Sequence, residues 1–477
     1  MSDEKSGDFT ARHVAHWDEI ARQRSDSSPF GREYFRRLCA IYRQLISADL
    51  RVLEVGSGSG DLLAALRPSA GMGVDFSPEM VALARERHPD LQFLLADAHQ
   101  LDRVEGPFDA IVLSDLLNDI WDVQAALGQL QRLCTNATRI VLNVYSHLWE
   151  APLSIAAGCG MARPKLQQNW LTREDVSNLL ALSGFEVINH REEILFPAPI
   201  PGLRALANEY AVKLWPVRYL ALTHVIVARR SPSATSERLP AVSVVVPARN
   251  EAGNIGRIVR EVPEMGSGTE IVFVEGHSTD ATLESIESAM QSNPSRKISL
   301  HRQAGTGKGD AVRLGFEKAG GDILMVLDAD LTVDPAILPR FYEAICSGRG
   351  EFINGVRLVY PMEKEAMRPL NFLGNKFFSL AFSWLLGQPI KDTLCGTKVL
   401  WRDDYARIVR NRHYFGEFDP FGDFDLLFGA AKLNLKIVEL PVRYGARSYG
   451  TTNIQRWRHG WLLLKMVVFA ARRIKFV

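Results

Sequence analysis

Apolar residues in this chain gather in short unbroken runs rather than in strict alternation. They are RVLEV from Arg51, LQFLLAD from Leu91, FDAIVLSD from Phe108, IVLNVY from Ile140, AVSVVVP from Ala241, EIVFVEG from Glu270 and DILMVLDAD from Asp322. Each run is strand length, and all but IVLNVY end at glycine, proline or acidic residues, the pattern of parallel strands covered on both faces. Stretches of helical spacing separate them. One opens at Ser77-Pro78, an N-cap followed by a first-turn proline. This strand-then-helix series starts twice, and between the two the periodicity stops. RRSPSATSERLP, from Arg229 to Pro240, is a Ser, Pro, Thr and charge mixture of linker type. The expectation is an α/β protein of two domains, residues 1–228 and 241–477, joined by a linker at 229–240. No internal repeat is apparent.

Length and composition sharpen this. The 477 residues exceed what one core organises, given roughly 150 residues per domain. With 47% hydrophobic and 23% charged residues the chain can fold throughout. A net charge of +1 removes the basic field that non-specific nucleic-acid binding needs. The five cysteines are scattered without the paired spacing of zinc sites or disulfide frameworks, which suits a reducing compartment. The N-terminus lacks the apolar core of a secretory signal, and no run reaches the roughly 18–20 apolar residues that span a bilayer. The nearest, Trp461 to Ala471, is broken by Lys465. These features predict a cytoplasmic protein, with peripheral contact at the inner face of the membrane as an open option.

In the first domain RVLEV runs into Gly56-Ser57-Gly58-Ser59-Gly60 and then DLLAALR, a strand, glycine turn and helix that suit a small nucleotide-like ligand. Glu54 precedes the glycines. The second strand ends at Asp75-Phe76, where a carboxylate can accept from ribose hydroxyls; the third ends at Asp97-Ala98 and the fourth at Ser114-Asp115. Together these polar strand ends form one rim of an open sheet. The set resembles class I S-adenosylmethionine-dependent methyltransferases over about residues 30–228, which implies a Rossmann-like seven-stranded sheet. NWLTREDVSNLLALSGFEV and YLALTHVIVAR resemble that family's closing helix and antiparallel strand pair. The resemblance implies Glu54, Gly56, Ser57, Gly58 and Gly60 near the methionine part of S-adenosylmethionine, Asp75 and Phe76 at the ribose, and Asp97, Ala98 and Ser114 around the adenine side. Many small-molecule members carry a histidine pair after the fourth strand, where this chain has Leu116-Leu117-Asn118-Asp119. Asp115, Asn118 and His147 are the polar candidates near the methyl acceptor, and each reads equally well as a cap or a solvated loop residue.

In the second domain the first strand ends in Pro247-Ala248-Arg249-Asn250-Glu251, and the second ends at Glu275 before HSTDATLESI. GTGKGDAVRLGFEKA then offers Lys308 to a phosphate. In LDADLT, Asp328 and Asp330 stand two apart at a strand end, so both carboxylates can meet one cation. VVVPARNE, FVEGHSTD, GKGDA, LDADLT and DTLCGTKV resemble family 2 glycosyltransferases of the GT-A fold, of the dolichol-phosphate mannosyltransferase-like branch, over about residues 241–460. The resemblance implies a nucleotide sugar held by Pro247, Ala248, Asn250, Glu251, Glu275 and Lys308, and Mg²⁺ or Mn²⁺ held by Asp328 and Asp330, the latter also catalytic. It further implies inverting transfer. That family commonly has a second acidic residue where this chain has Gly276. If the acceptor is a glycan hydroxyl, Asp423 or Asp425 would take its proton. If it is a polyprenyl phosphate, no base is needed and Arg357, Arg368 and Arg447 are the candidate cations. The tail places Trp457, Trp461, Leu464, Val468 and Ala471 on one helical stripe, readable as a membrane-surface helix or as a helix packed on its own domain. The combined expectation is a bifunctional transferase, the rival being an active glycosyltransferase with a degenerate S-adenosylmethionine-binding module.

Overall fold

The computed structural model describes residues 2–23, 28–159, 166, 168–232, 239–357, 369–412, 423–445, 449 and 456–476. Two compact units contain Met1–Ser231 and Pro232–Lys475. Most of the expected linker, residues 233–238, lies outside the described residues.

The first unit is built on a seven-stranded sheet of β1 (Arg51–Val55), β2 (Ala70–Asp75), β3 (Gln92–Leu95), β4 (Phe108–Leu113), β5 (Cys134–Tyr145), β6 (Phe185–Glu193) and β7 (Thr223–Arg230). Its order is β3-β2-β1-β4-β5-β7-β6. The first five strands are parallel, and β7 runs antiparallel to both β5 and β6. The uniform apolarity of β1, β4 and β5 follows from layers on both faces. Leu53, Ile111 and Leu142 face one cluster with Leu117 and Leu127, while Val52, Val112 and Val141 face another with Tyr42 and Leu63. Helix Pro29–Leu45, capped by the Ser28 hydroxyl with Pro29 in its first turn, supplies Leu38, Ile41 and Tyr42 to the second cluster. Thr172 and Asp175 form a reciprocal capping box that starts helix Arg173–Leu182 ahead of the antiparallel pair.

The second unit has its own seven strands, β8 (Val242–Ala248), β9 (Thr269–Glu275), β10 (Lys297–Arg302), β11 (Ile323–Val326), β12 (Phe352–Val356), β13 (Lys398–Trp401) and β14 (Ile437–Pro441). The order is β10-β9-β8-β11-β13-β12-β14, with β13 antiparallel to β11 and β12 and the other pairs parallel. Every residue of β9, β11 and β12 is buried. The carboxyl ends of β10, β9, β8 and β11 therefore line one edge, where polar side chains collect.

The C-terminal helix Arg456–Ala470 buries Leu463, Met466 and Ala470 in the core of this unit. Of the stripe singled out from its periodicity, Trp461, Leu464 and Val468 are exposed and Ala471 packs against the core, while the Trp457 side chain lies outside the described residues; Phe377 and Leu380 of helix Pro369–Leu386 are exposed too. No described helix is long and apolar enough to cross a membrane.

Candidate functional sites

In the first unit, the turn after β1 holds Gly56, Gly58 and Gly60 at φ of 75°, 49° and 76°. At Gly60 the constraint is also steric, because an added Cβ would lie 2.5 Å from the Phe93 ring. The Asp75 carboxylate braces the turn: Gly58 N–H donates to Oδ2 at 2.8 Å and Ser77 N–H to Oδ1 at 2.9 Å. Ser77 in turn accepts from Met80 N–H and caps the next helix, as its sequence predicts.

Glu54, on β1 beneath this turn, is 2% exposed. Its Oε2 has no hydrogen-bond partner among the described residues, and neither does the buried Ser57 Oγ. Burial pushes the Glu54 carboxyl well above the ordinary carboxylate range, opposed mainly by the Leu63 N–H. Burial raises Asp75 too, against the N–H groups of Ser77, Gly58 and Phe76. An unpartnered buried acceptor costs about 1–3 kcal/mol. A ligand bringing N–H donors and positive charge removes that cost, and S-adenosylmethionine, with its ammonium and sulfonium, brings both.

Asp97 lies just past β3 with its Oδ1 accepting from His99 N–H at 2.8 Å and meeting His99 Nδ1 at 2.6 Å. The histidine contact lowers Asp97, and Asp97 raises His99. His99 was not apparent as a site residue from sequence.

Beyond β4 the Asp115 backbone is left-handed, at φ 54°. Tyr34 Oη donates to Asp115 Oδ1 at 2.8 Å, and Asn143 Nδ2 donates to the same oxygen at 2.5 Å. Tyr42 Oη donates to Asn143 Oδ1 at 2.8 Å. The Tyr145 ring lies 5.9 Å from that of Tyr34. Burial, then Asp115, raises Tyr34, Tyr42 and Tyr145 well above the usual phenol range, so all three stay neutral donors. Sequence reasoning found Asp115 but missed Tyr34, Asn143 and Tyr145. Asn143 did leave a signal, as the one polar residue interrupting IVLNVY. The other two acceptor-side candidates sit differently. Asn118 is spent on backbone, with Nδ2 on Asn169 O and Oδ1 accepting from Tyr145 N–H. His147 is exposed and lies 3.5 Å from Glu150.

In the second unit the ends of β8 and β9 are tied together. Asn250 Oδ1 accepts from Thr279 N–H at 2.7 Å, and Glu275 Oε1 accepts from Ser278 N–H at 2.6 Å. Glu251 accepts from Asn254 Nδ2 while its N–H donates to Thr282 Oγ1. Pro247 and Ala248 form the last two residues of β8.

Asp328 follows β11, and Lys308 Nζ, at the start of helix Lys308–Lys318, lies 2.5 Å from its Oδ1. Burial pushes Asp328 up, but Lys308, then Lys398 and Arg357, outweigh it and hold the carboxyl below its usual range. Lys398 is fully buried and donates to Cys395 O at 2.5 Å. The segment Asp392–Lys398 closes directly on Asp328, since a Cβ on Gly396 would come within 1.9 Å of Oδ2. Asp330 Oδ1 accepts from Thr332 N–H at 3.1 Å and Oγ1 at 2.8 Å. Among the described residues no group of three or more His, Cys, Asp or Glu gathers as a metal site. A divalent ion at this edge would thus draw on Asp328, Asp330 and oxygens of a bound diphosphate. An ionised Asp328 fits that requirement.

The remaining expectations fare unevenly. Arg357, a candidate for acceptor phosphate, makes a two-point pair with Asp392 at 2.7 and 2.8 Å. Asp425, a candidate base, is buried against Arg412 at 3.1 Å and Arg313 at 3.5 Å. Two guanidiniums thus share this carboxylate within the fold. Asp423 begins helix Asp423–Lys432, but its side chain lies outside the described residues, as do Arg368 and Arg447 altogether.

Comparison with known proteins agrees with both halves. Residues 30–190 match the model of a methyltransferase domain, and residues 243–409 match that of glycosyl transferase family 2. The chain is 28% identical over 225 residues to glycosyltransferase AglJ of Haloferax volcanii, covering 47% of this chain and 69% of that protein. It is 28% identical over 246 residues to a dolichol-phosphate mannosyltransferase of Pyrococcus furiosus, covering 49% and 67%. Among solved structures it is similar to an S-adenosylmethionine-dependent methyltransferase from Mesorhizobium loti, at 19% identity and a TM-score of 0.32, covering 40% of this chain and 96% of that one.

Proposed function

This chain joins a methyltransferase domain to a family 2 glycosyltransferase domain, and from that premise we propose that it moves a sugar from a nucleotide donor onto a polyprenyl phosphate while its first domain methylates a small molecule or glycan. The observation that carries the first half is the Asp328–Asp330 pair at the end of β11, with Lys308 closed on it at 2.5 Å. Pro247, Ala248, Asn250 and Glu275 supply the adjacent strand ends against which the nucleotide would lie. Asp328 and Asp330 would hold a divalent ion, which when bound would neutralise charge on the departing diphosphate. Lys308 and Lys398 keep Asp328 ionised and so ready for such an ion.

A polyprenyl phosphate is favoured over a glycan hydroxyl for two reasons. Asp425 is committed to Arg313 and Arg412, and an acceptor that arrives anionic needs no base. One relative, moreover, is named for transfer to dolichol phosphate. Arg357, Arg368 and Arg447 are proposed to hold that phosphate, Arg357 while backed by Asp392. Trp461, Leu464, Val468, Phe377 and Leu380 stay outside the core and would rest on the inner membrane face, bringing the site to a lipid-borne phosphate there.

In the first domain, Glu54 and Ser57 would receive the ammonium side of S-adenosylmethionine, Asp75 its ribose and Asp97 its adenine. Methyl transfer is an in-line displacement, so alignment suffices and a base is optional. Asp115 with Tyr34 and Asn143 would orient the acceptor. A second reading, cofactor binding without transfer, draws on the full engagement of Asp115 Oδ1 by Tyr34 and Asn143.

The direct test incubates the full chain with a panel of radiolabelled nucleotide sugars, Mn²⁺ and vesicles containing polyprenyl phosphate. Label should enter an acid-labile lipid fraction only with metal and lipid phosphate both present. Label appearing only on soluble glycans would overturn the lipid acceptor.

A further inference from the structure

The described donor edge contains one buried polar atom that the reading above leaves unused. Gln303 follows β10 and is 5% exposed. Its N–H donates to Glu275 O at 3.1 Å and its Nε2 donates to Gly305 O at 3.2 Å. That carbonyl can only accept, so the amide orientation is settled by its partner and Oε1 is the atom left over. His277 Nε2 lies 3.0 Å from the same carbonyl, which leaves the Gln303 amide no reason to turn. Oε1 has no partner among the described residues.

Its place along the sheet says what it would meet. From β11, which carries Asp328, the strands run outward as β8, β9 and β10. Three steps of about 4.8 Å put the end of β10 roughly 14 Å from the acidic pair, about the reach of an extended nucleoside diphosphate from its terminal phosphate to its base. Register agrees: Ala248, Glu275 and Arg302 share one row, so Gly276 and Gln303 stand together in the next. Gly276 leaves this spot open. A Cβ there would meet nothing closer than 3.5 Å, and the Gln303 amide lies 3.6 Å away. The amide atom nearest that spot is Nε2, and Oε1, the other half of the same amide, is the acceptor left without a partner among the described residues.

We infer that Gln303, through Oε1, reads the donor's base by accepting its imide N–H, and so selects uracil or guanine nucleotides over those of cytosine and adenine. Uracil N3–H and guanine N1–H are donors. Cytosine N3 and adenine N1 would set a lone pair against the amide oxygen and leave it unsatisfied. This inference rests on the nucleotide-sugar reading of the same edge.

Calorimetric titration of the full chain with UDP, GDP, CDP and ADP, each with Mn²⁺, tests it. UDP or GDP should bind about tenfold or more tighter than both CDP and ADP. In Gln303→Leu and the near-isosteric Gln303→Met that preference should vanish while CDP affinity holds. The preferred diphosphate methylated at its imide nitrogen should bind the unaltered protein about tenfold more weakly, a readout independent of whether either variant folds. Equal binding of all four, preference for CDP or ADP, tolerance of the methylated base, or equal loss for every nucleotide in both variants would overturn the assignment. No binding by any nucleotide would overturn the nucleotide-sugar reading itself.

Discussion

Both domains end an apolar strand in carboxylates, yet the two sets sit in opposite electrostatic surroundings. In the first, neither Glu54 nor Asp75 forms an ion pair among the described residues, and burial raises both. In the second, Asp328 is half-buried among Lys308, Lys398 and Arg357 and is lowered against the opposing effect of desolvation. On the reading proposed above, the contrast follows the charge of what each would receive. A site for a sulfonium cofactor can leave its carboxylates without cations, because the ligand carries the positive charge. A site for a metal with a diphosphate must keep an ionised carboxylate and place cations where the anion arrives.

The strongest way to break the comparison is at Asp328. Asp328→Asn should lower glycosyl transfer on the order of 1000-fold and leave S-adenosylmethionine affinity unchanged by calorimetry; an equal loss at both sites would show that the electrostatics of the two are not separate. Glu54→Gln should lower S-adenosylmethionine affinity about 10–100-fold. The same change should raise the melting temperature of the ligand-free protein at neutral pH, by about 2–4 °C. The sign follows from linkage. A carboxyl whose folded-state titration lies above its unfolded one binds more protons when folded, so it subtracts stability as pH climbs from the ordinary carboxylate range through the raised value. Glutamine removes that loss. The smallest effect on turnover belongs to Asp425→Asn, which should change glycosyl transfer less than about threefold while lowering stability by about 3–5 kcal/mol in denaturant titration. A collapse of turnover with unchanged stability would restore Asp425 as a base and a hydroxyl as acceptor.

Much of the architecture was legible because parallel strands covered on both faces must be uniformly apolar, and because the polar residues ending them then stand out. Glu54, Asp75, Asp97, Asp328 and Asp330 were all visible in this way. What stayed hidden depends on meetings between distant elements. Tyr34 comes from a helix ahead of the first strand and reaches Asp115 only through the fold. Arg313 and Arg412 claim Asp425 from outside its own helix. The tail helix left its two readings open for another reason. It is apolar around much of its circumference, so the stripe of Trp461, Leu464 and Val468 could not be told from the face of Leu463, Met466 and Ala470 that enters the core.

On the proposed reading a cationic ligand takes the place of a proton on Glu54, whose carboxyl burial raises well above its ordinary range. Titrating S-adenosylmethionine into the full chain in buffers of different ionisation enthalpy, across about pH 5 to 8, reads that proton directly. Up to one proton should leave per cofactor bound, with the release confined to pH below the raised Glu54 titration and absent in Glu54→Gln. Binding without proton release at every pH, or the same release in the variant, would contradict it.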